Sequence, residues 1–493
     1  MRNGPIATTG YGKVCGVRDD SGVLAFKGIP YAASPTGEKR FKPPQRPENW
    51  SEVRDATGYG PTSPQSSGGD DALALLPNVV IPGDDFLNLN VWTESLSGRR
   101  PVMVFIHGGA FSSGSGAVPL YDGTNFARDG VVLVTLNYRL GADGFLWFGE
   151  GVANLGLLDQ VAALAWVRDN IEGFGGDPEN VTIFGESAGG MSVCTLMAMP
   201  AARGLFHKAI AQSGAGHTTI TPSTAKRIGE RLAQMLGVSA SRDALADVPM
   251  EKLIAAQDRI SAEVFAAPDP AVWGEVAETL MPFTPVIDGS VVPGHPIDCI
   301  AHGAANGIKV LIGTNSEEGN LFFVPSGMVA KVTTGMVDAM TEAYGLPMPL
   351  AREVYRSNRP DATPGELYSA IFTDWFYRIP AVRLAEAQPD THLYEFSWRS
   401  PAFNGSLGAC HASELSFVFD NIGDPGVRQI NGETPPQALA NEMHRAWVDF
   451  ATSGDPGWPA YAPESRISMQ FGEVSSAATG DRREEQALWQ GIR

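Results

Sequence analysis

An α/β fold, with a central, mostly parallel sheet flanked by helices and an elaborated helical cap region, is predicted by three observations. Near-continuous apolar runs occur at 102–106 (V-M-V-F-I) and 131–136 (V-V-L-V-T-L), as strands buried on both faces require. Residues 156–170 carry apolar side chains at helical spacing, and a further strand signal follows at 181–184. Strands that alternate with helices in this way build parallel sheets.

The elements follow in order. The first hundred residues are rich in Gly and Pro, with short strand-like runs such as Val23–Phe26. Residues 64–84 read as an irregular surface loop. Leu87–Trp92 alternates apolar and polar residues like a strand. In 156–170 the apolar stripe is Leu158, Val161, Ala162, Leu164, Ala165 and Val167, and G-F-G-G-D-P (173–178) is a strong stop signal. Further strands are predicted at 309–313 and 393–398, and helical additions near 223–260 and 327–347. There is no repeat, low-complexity tract or convincing linker, so one domain is expected over 1–493.

Composition narrows the function. The chain has 493 residues, 43% of them hydrophobic, enough for a large core. A net charge of -19 and a pI near 4.9 repel phosphate backbones and anionic lipid, so neither a nucleic acid nor a membrane is expected as a partner. The N-terminal residues carry no apolar signal-like stretch, and no apolar run is long enough to span a bilayer. Cys15, Cys194, Cys299 and Cys410 show no C-x-x-C spacing, which reads as reduced cysteines in a cytoplasmic protein.

One short stretch carries chemistry. F-G-E-S-A-G-G (184–190) sits between the strand signal and a run, 191–199, able to continue as a helix. G-x-S-x-G makes a sharp strand-to-helix turn that lifts a serine hydroxyl above the sheet, where the helix N-terminus faces any developing anion. An ordinary glycine-rich turn is the competing explanation. A serine nucleophile needs a base, an acid to orient that base, and donors for an oxyanion. H-G-G-A-F (107–111) follows directly on the strand at 102–106, at a strand C-terminal end where α/β sites lie. A plain turn competes here too. The expected donors are the N–H groups of Gly108, Gly109 and Ala188. Of eight histidines, His107 belongs to that segment, and His207 and His217 follow Ser187 too closely for an acid to intervene. His295, His302, His392, His411 and His444 remain, and composition does not choose among them.

Taken together, G-G-D-P-E-N-V-T-I-F-G-E-S-A-G-G (175–190), H-G-G-A-F (107–111), N-Y-R-L-G (137–141) and N-L-G-L-L-D-Q (154–160) resemble the type-B carboxylesterases, a family that includes bacterial p-nitrobenzyl-type esterases and the cholinesterases. The resemblance continues in F-K-G-I-P-Y-A (26–32), R-F-K-P-P (40–44), F-T-P-V-I-D-G (283–289), E-E-G-N-L-F (317–322), H-A-S-E-L-S-F-V-F (411–419) and W-V-D-F-A-T-S-G-D-P (447–456). It implies the α/β-hydrolase fold and a serine esterase with no cofactor and no metal. By motif position it implies Ser187 as nucleophile, Glu318 as acid and His411 as base, with Glu317 a solvated neighbour. Glu186 and Ser213 fall at family positions near the site, with packing an equally fair reading, and Phe111, Leu321, Phe322, Phe376 and Phe417 at pocket-wall positions where core packing is equally open. Glu414, three residues after His411, is expected to help orient that loop.

Departures matter as well. Ser63 and Phe86 stand where secreted members of the family carry a disulfide, and residues 64–85 hold no aromatic residue for a choline-type cation site. A choline-ester specialist is therefore not expected. An apolar pocket would suit esters of aryl or short to medium alkyl type, with an aryl carbamate or amide as alternative. An acyltransferase and a non-catalytic binding protein are more remote. A monomer is expected, with a dimer as alternative.

Overall fold

The computed structural model describes residues 4–66, 75–480 and 482–492. It divides into two compact units, one of Met1–Ser67, Asn78–Ile210 and Gly216–Ile308, the other of Gly68–Pro77, Ala211–Ala215 and Lys309–Arg493.

In the first unit, the strand Arg100–Ile106 lies between two parallel neighbours, Val132–Leu136 and Gly176–Glu186. Val104 pairs with Val134 on one side and Ile183 on the other. Val102 through Ile106 are fully buried, which is why the sequence shows an unbroken apolar run rather than an alternation. Asn88–Thr93, Leu24–Pro30 and Val17–Arg18 then add antiparallel strands outward. A small separate sheet joins Ile6–Thr9, Gly12–Cys15 and Arg54–Asp55. The helix expected at 156–170 is Leu155–Asn170.

Two sequence motifs in this unit explain each other. Arg139, of N-Y-R-L-G, and Asp159, of N-L-G-L-L-D-Q, are both fully buried and joined by two side-chain hydrogen bonds of 2.8 Å. The Arg139 N–H also donates to Asp159, and its guanidinium donates to the Lys42 carbonyl. A buried guanidinium needs such a fork to offset its desolvation.

The helical stretch expected near 223–260 is three helices, Pro222–Leu236, Arg242–Ala246 and Met250–Ala266. Gly237, left-handed at φ 68°, stops the first, and Pro249 precedes the last. Ser63 donates from Oγ to the Tyr138 carbonyl at 2.5 Å, and Phe86 is buried. No disulfide joins the four cysteines.

In the second unit, Lys309–Asn315, Thr391–Phe396 and Ile467–Phe471 run parallel, and Ser476–Thr479 is antiparallel to the last. A Cβ on Gly313 would lie 2.2 Å from the Tyr394 ring, so the strand needs glycine there. Between 327 and 347 only Thr334–Ala343 is helical, with Thr333 capping its start. The α/β class and its mostly parallel strands match the expectation. The hairpin at the start of the chain and the strand at 467–471 were not foreseen, because short and partly exposed strands give weak periodicity.

Candidate active site

The serine turn lies in the first unit. Ser187 has φ 57° and ψ −124°, a strained backbone for a residue with a side chain, between the strand Gly176–Glu186 and the helix Ala188–Ala198. Both glycines of the motif are sterically required. A Cβ on Gly185 would lie 2.6 Å from the Ile106 carbonyl oxygen, and one on Gly189 would lie 1.9 Å from the same atom. Within 181–199, Ser187 is the one residue that is not buried. The strained turn thus leaves this one serine partly open at the head of a helix, where the N–H of Ala188 has no intrahelical partner.

The segment after Ile106 packs against that turn. A Cβ on Gly108 would come within 2.8 Å of the Glu186 carbonyl oxygen, 3.0 Å of its carboxylate and 3.1 Å of Ser187 Cβ. Gly109 has φ 106°, and a Cβ there would meet the Ser113 carbonyl at 2.2 Å. The N–H groups of Gly108 and Gly109 make no hydrogen bond among the described residues. His107 fixes the peptide between them. Its Nδ1 lies 2.8 Å from the Gly108 carbonyl oxygen, which only accepts, so Nδ1 carries the proton. Because the peptide is planar and trans, the Gly109 N–H then points the opposite way. Burial lowers the His107 pKa to about 4, so the ring is neutral at physiological pH. It stacks on Tyr138 at 4.5 Å, and the Tyr138 hydroxyl donates to the His107 carbonyl.

Gln65, which sequence reasoning missed, clamps the far end of this loop. Its amide donates to the Gly114 carbonyl at 2.9 Å and accepts from the Gly114 N–H at 2.8 Å. A lone Gln in a Pro-rich loop gives no sequence signal.

The second unit holds a paired histidine and glutamate. His411 Nδ1 lies 2.6 Å from Glu318 Oε2, and both side chains are buried. The other Glu318 oxygen accepts the Asn315 N–H at 2.7 Å. Among the remaining candidates, His392 and His444 place Nδ1 against the Trp458 and Val418 carbonyls, His302 against the Asp298 carbonyl, and His295 against Thr219. Only His411 among those five is bonded to a buried carboxylate, the partner that orients an imidazole and stabilises its charged form.

Glu414 supports this loop. It is fully buried and accepts from Gln212 Nε2 at 3.0 Å and Asn315 Nδ2 at 2.7 Å. Asn315 Nδ2 also donates to the Cys410 carbonyl, next to His411. Burial, helped by the charge of Glu318, pushes the Glu414 carboxyl above its usual range. Ser213 is buried at φ 46°, and its Oγ has no hydrogen-bond partner among the described residues. Glu317 is not simply solvated. It pairs with Arg399 and accepts the Ala409 N–H at 3.0 Å, propping the segment that leads to His411.

Of the wall candidates, Phe322 is only partly buried and lies 5.4 Å from the His411 ring. Phe376 stacks on Phe372 at 5.5 Å and contacts Tyr377 at 4.7 Å. Leu321 belongs to a buried cluster with Leu407, Cys410 and Ile430. Phe111 is fully buried against Phe145, and Phe417 against Phe396 and Trp398. Tyr377, not singled out from sequence, lies 4.8 Å from the His411 ring. The aromatic run at 375–377 was its only signal.

The carboxylesterase family model matches residues 3–489. The chain belongs to the carboxylesterase family. It is 44% identical to the para-nitrobenzyl esterase of Bacillus subtilis, over 94% of each chain. The phenmedipham hydrolase of Pseudarthrobacter oxydans is 34% identical over 97% of each. The crystal structure of a Geobacillus stearothermophilus carboxylesterase superposes with a TM-score of 0.86 at 39% identity, covering 98% of this chain and all of that one. This carboxylesterase therefore has the α/β-hydrolase fold and is a carboxylic-ester hydrolase. Among its described residues, no helix is long and apolar enough to cross a membrane.

Proposed function

We propose that this carboxylesterase is a single-domain, cytoplasmic serine esterase that hydrolyses aryl and short to medium alkyl esters through Ser187, His411 and Glu318. His411 takes the Ser187 proton as the hydroxyl attacks the ester carbonyl. The N–H groups of Gly108, Gly109 and Ala188 receive the oxyanion, each donor lowering the barrier by about 2–4 kcal/mol. His411 then protonates the departing alcohol, and water repeats the sequence on the acyl-enzyme. Glu318 holds the imidazole tautomer and stabilises its positive charge.

The observation that carries this reading is the buried 2.6 Å pairing of His411 with Glu318, in a chain whose strained Ser187 is the one residue of its turn that is not buried. The partly buried Phe322 beside His411 favours apolar acyl or aryl groups. The likeness to a phenmedipham hydrolase makes an aryl carbamate the second substrate class to assay.

The test is kcat/KM across p-nitrophenyl esters from acetate to dodecanoate, with one phenylcarbamate and Ser187→Ala alongside. Turnover that peaks at short or medium chains and vanishes in the variant is expected. Preference for the carbamate would reassign the substrate class, and turnover surviving in pure Ser187→Ala would remove the nucleophile assignment.

A further inference from the structure

Between the helices Pro364–Thr373 and Ile379–Ala387, residues Asp374–Arg378 form a π-helical turn. Pro380 supplies a reason. It has no N–H, and its ring would collide with the carbonyl four residues back in an α-helix. An inserted residue relieves that clash. Trp375 stacks on Tyr344 at 4.5 Å, Phe376 stacks on Phe372, and Tyr377 lies against His411.

The two ends of the turn are charged, Asp374 fully buried and Arg378 partly so. Asp374 accepts from Arg378 Nε at 2.5 Å and Nη2 at 2.6 Å, and from the Tyr355 hydroxyl at 2.5 Å. The C-terminal segment closes the cluster. Glu485, on the short helix Arg483–Leu488, is fully buried and lies 3.6 Å from Arg378. It also accepts from Asn358 at 2.8 Å and pairs with Arg359. Trp489, fully buried, donates from Nε1 to the Tyr355 hydroxyl at 3.0 Å, and its carbonyl accepts from Arg383. Together these groups hold the turn whose Tyr377 ring lies 4.8 Å from the His411 ring.

We propose that the C-terminal segment, through Glu485 and Trp489, holds the π-helical turn so that Tyr377 stays against His411, and thereby sets which acyl groups the esterase accepts. Tyr377 is then a specificity determinant and Glu485 a positioning residue. This rests on the assignment of His411 as the base. The physical argument is that a π-helical turn is a rare single-turn insertion in an α-helix, and here its two ends are tied to charged partners, Asp374 to Arg378 and Arg378 to Glu485. Glu485 is the counter-charge that Arg378 and Arg359 share, so without it the Arg378 end of the turn is held by Asp374 alone.

The experiment measures kcat and KM on p-nitrophenyl acetate and p-nitrophenyl octanoate for the wild type, Glu485→Gln, Tyr377→Leu and the double variant. Glu485→Gln keeps the shape and removes the charge. The octanoate-to-acetate ratio of kcat/KM is expected to change by about fivefold or more in each single variant, chiefly through KM. The double variant should add no more than about twofold, because both changes act on one contact. An unchanged ratio in Glu485→Gln, or effects that multiply in the double variant, overturns the proposal. If Glu485→Gln yields no folded protein, Trp489→Phe, which removes the indole donor to Tyr355 together with part of the ring, takes its place with the same two outcomes. Ser187→Ala separates the questions. Turnover lost there together with an unchanged Glu485→Gln ratio removes the positioning role alone. Turnover retained there removes the triad assignment and leaves the Glu485–Tyr377 cycle readable.

Discussion

Glu318 and Glu414, two fully buried carboxylates, are bridged by Asn315, whose backbone N–H donates to the first and whose side-chain amide donates to the second, each at 2.7 Å. A single residue thus holds both the partner of His411 and the carboxyl that supports the His411 loop.

Burial beside Glu318 makes Glu414 sensitive to pH. Its carboxyl titrates above the usual range in the folded protein, because burial and the charge of Glu318 disfavour ionisation. A raised folded pKa contributes stability in full below the unfolded value, and that contribution is lost as pH rises through the folded one. Glu414→Gln should therefore gain on the wild type as pH rises. The difference in Tm, variant minus wild type, is expected to be more positive at pH 8 than at pH 5. A difference that does not change with pH would remove the linkage.

His107 has the opposite sign. Burial lowers its pKa to about 4, so its stability contribution is complete above the unfolded value near 6.5 and is lost as pH falls through the folded one. A shift of this size corresponds to about 3 kcal/mol at most. His107→Asn is expected to flatten the fall of Tm between about pH 6.5 and 4. The same variant should lower kcat even at pH 8, because the Gly108–Gly109 peptide loses the ring that orients it.

The serine turn tolerates no Cβ at its second glycine. Gly189→Ala would set a methyl 1.9 Å from the Ile106 carbonyl oxygen, a backbone atom of a fully buried strand. Stability is expected to fall by about 2 kcal/mol or more, and kcat/KM by about a hundredfold as Ser187 shifts. Thermal unfolding and turnover measured on one preparation check both. A variant with wild-type values would mean the turn relaxes freely.

The buried fork between Arg139 and Asp159 predicts a stability defect without a chemical role. Asp159→Asn removes the carboxylate charge that the guanidinium is bonded to and should cost about 3–5 kcal/mol. Any folded fraction should retain the wild-type KM. A changed KM with unchanged Tm would contradict the structural role.

Much of the site was legible in the sequence because its constraints are local. Gly185 and Gly189 are dictated by two backbone contacts with Ile106, and such a requirement shows as a short fixed motif. The central strands were legible because burial on both faces leaves only apolar residues at 102–106. The histidine was not legible from the residues alone. His411 differs from His392 or His444 by a carboxylate 93 positions away in sequence, and only the family resemblance named it. Gln65 and Tyr377 were missed for the same reason, since each acts through a contact distant in the chain. The wall residues divided by burial, with Phe111 and Phe417 packed inside and Phe322 partly open, a distinction that identical residue types cannot carry.

The most direct test of Ser187 as nucleophile is the mass of the acyl-enzyme. The enzyme is mixed with p-nitrophenyl acetate, quenched in acid within the burst, digested and analysed by mass spectrometry. One acetyl group per chain is expected, on the peptide that carries Ser187, and none on that peptide in Ser187→Ala. An acetyl group on another residue, or steady turnover with no acyl-enzyme on Ser187, would contradict the central assignment.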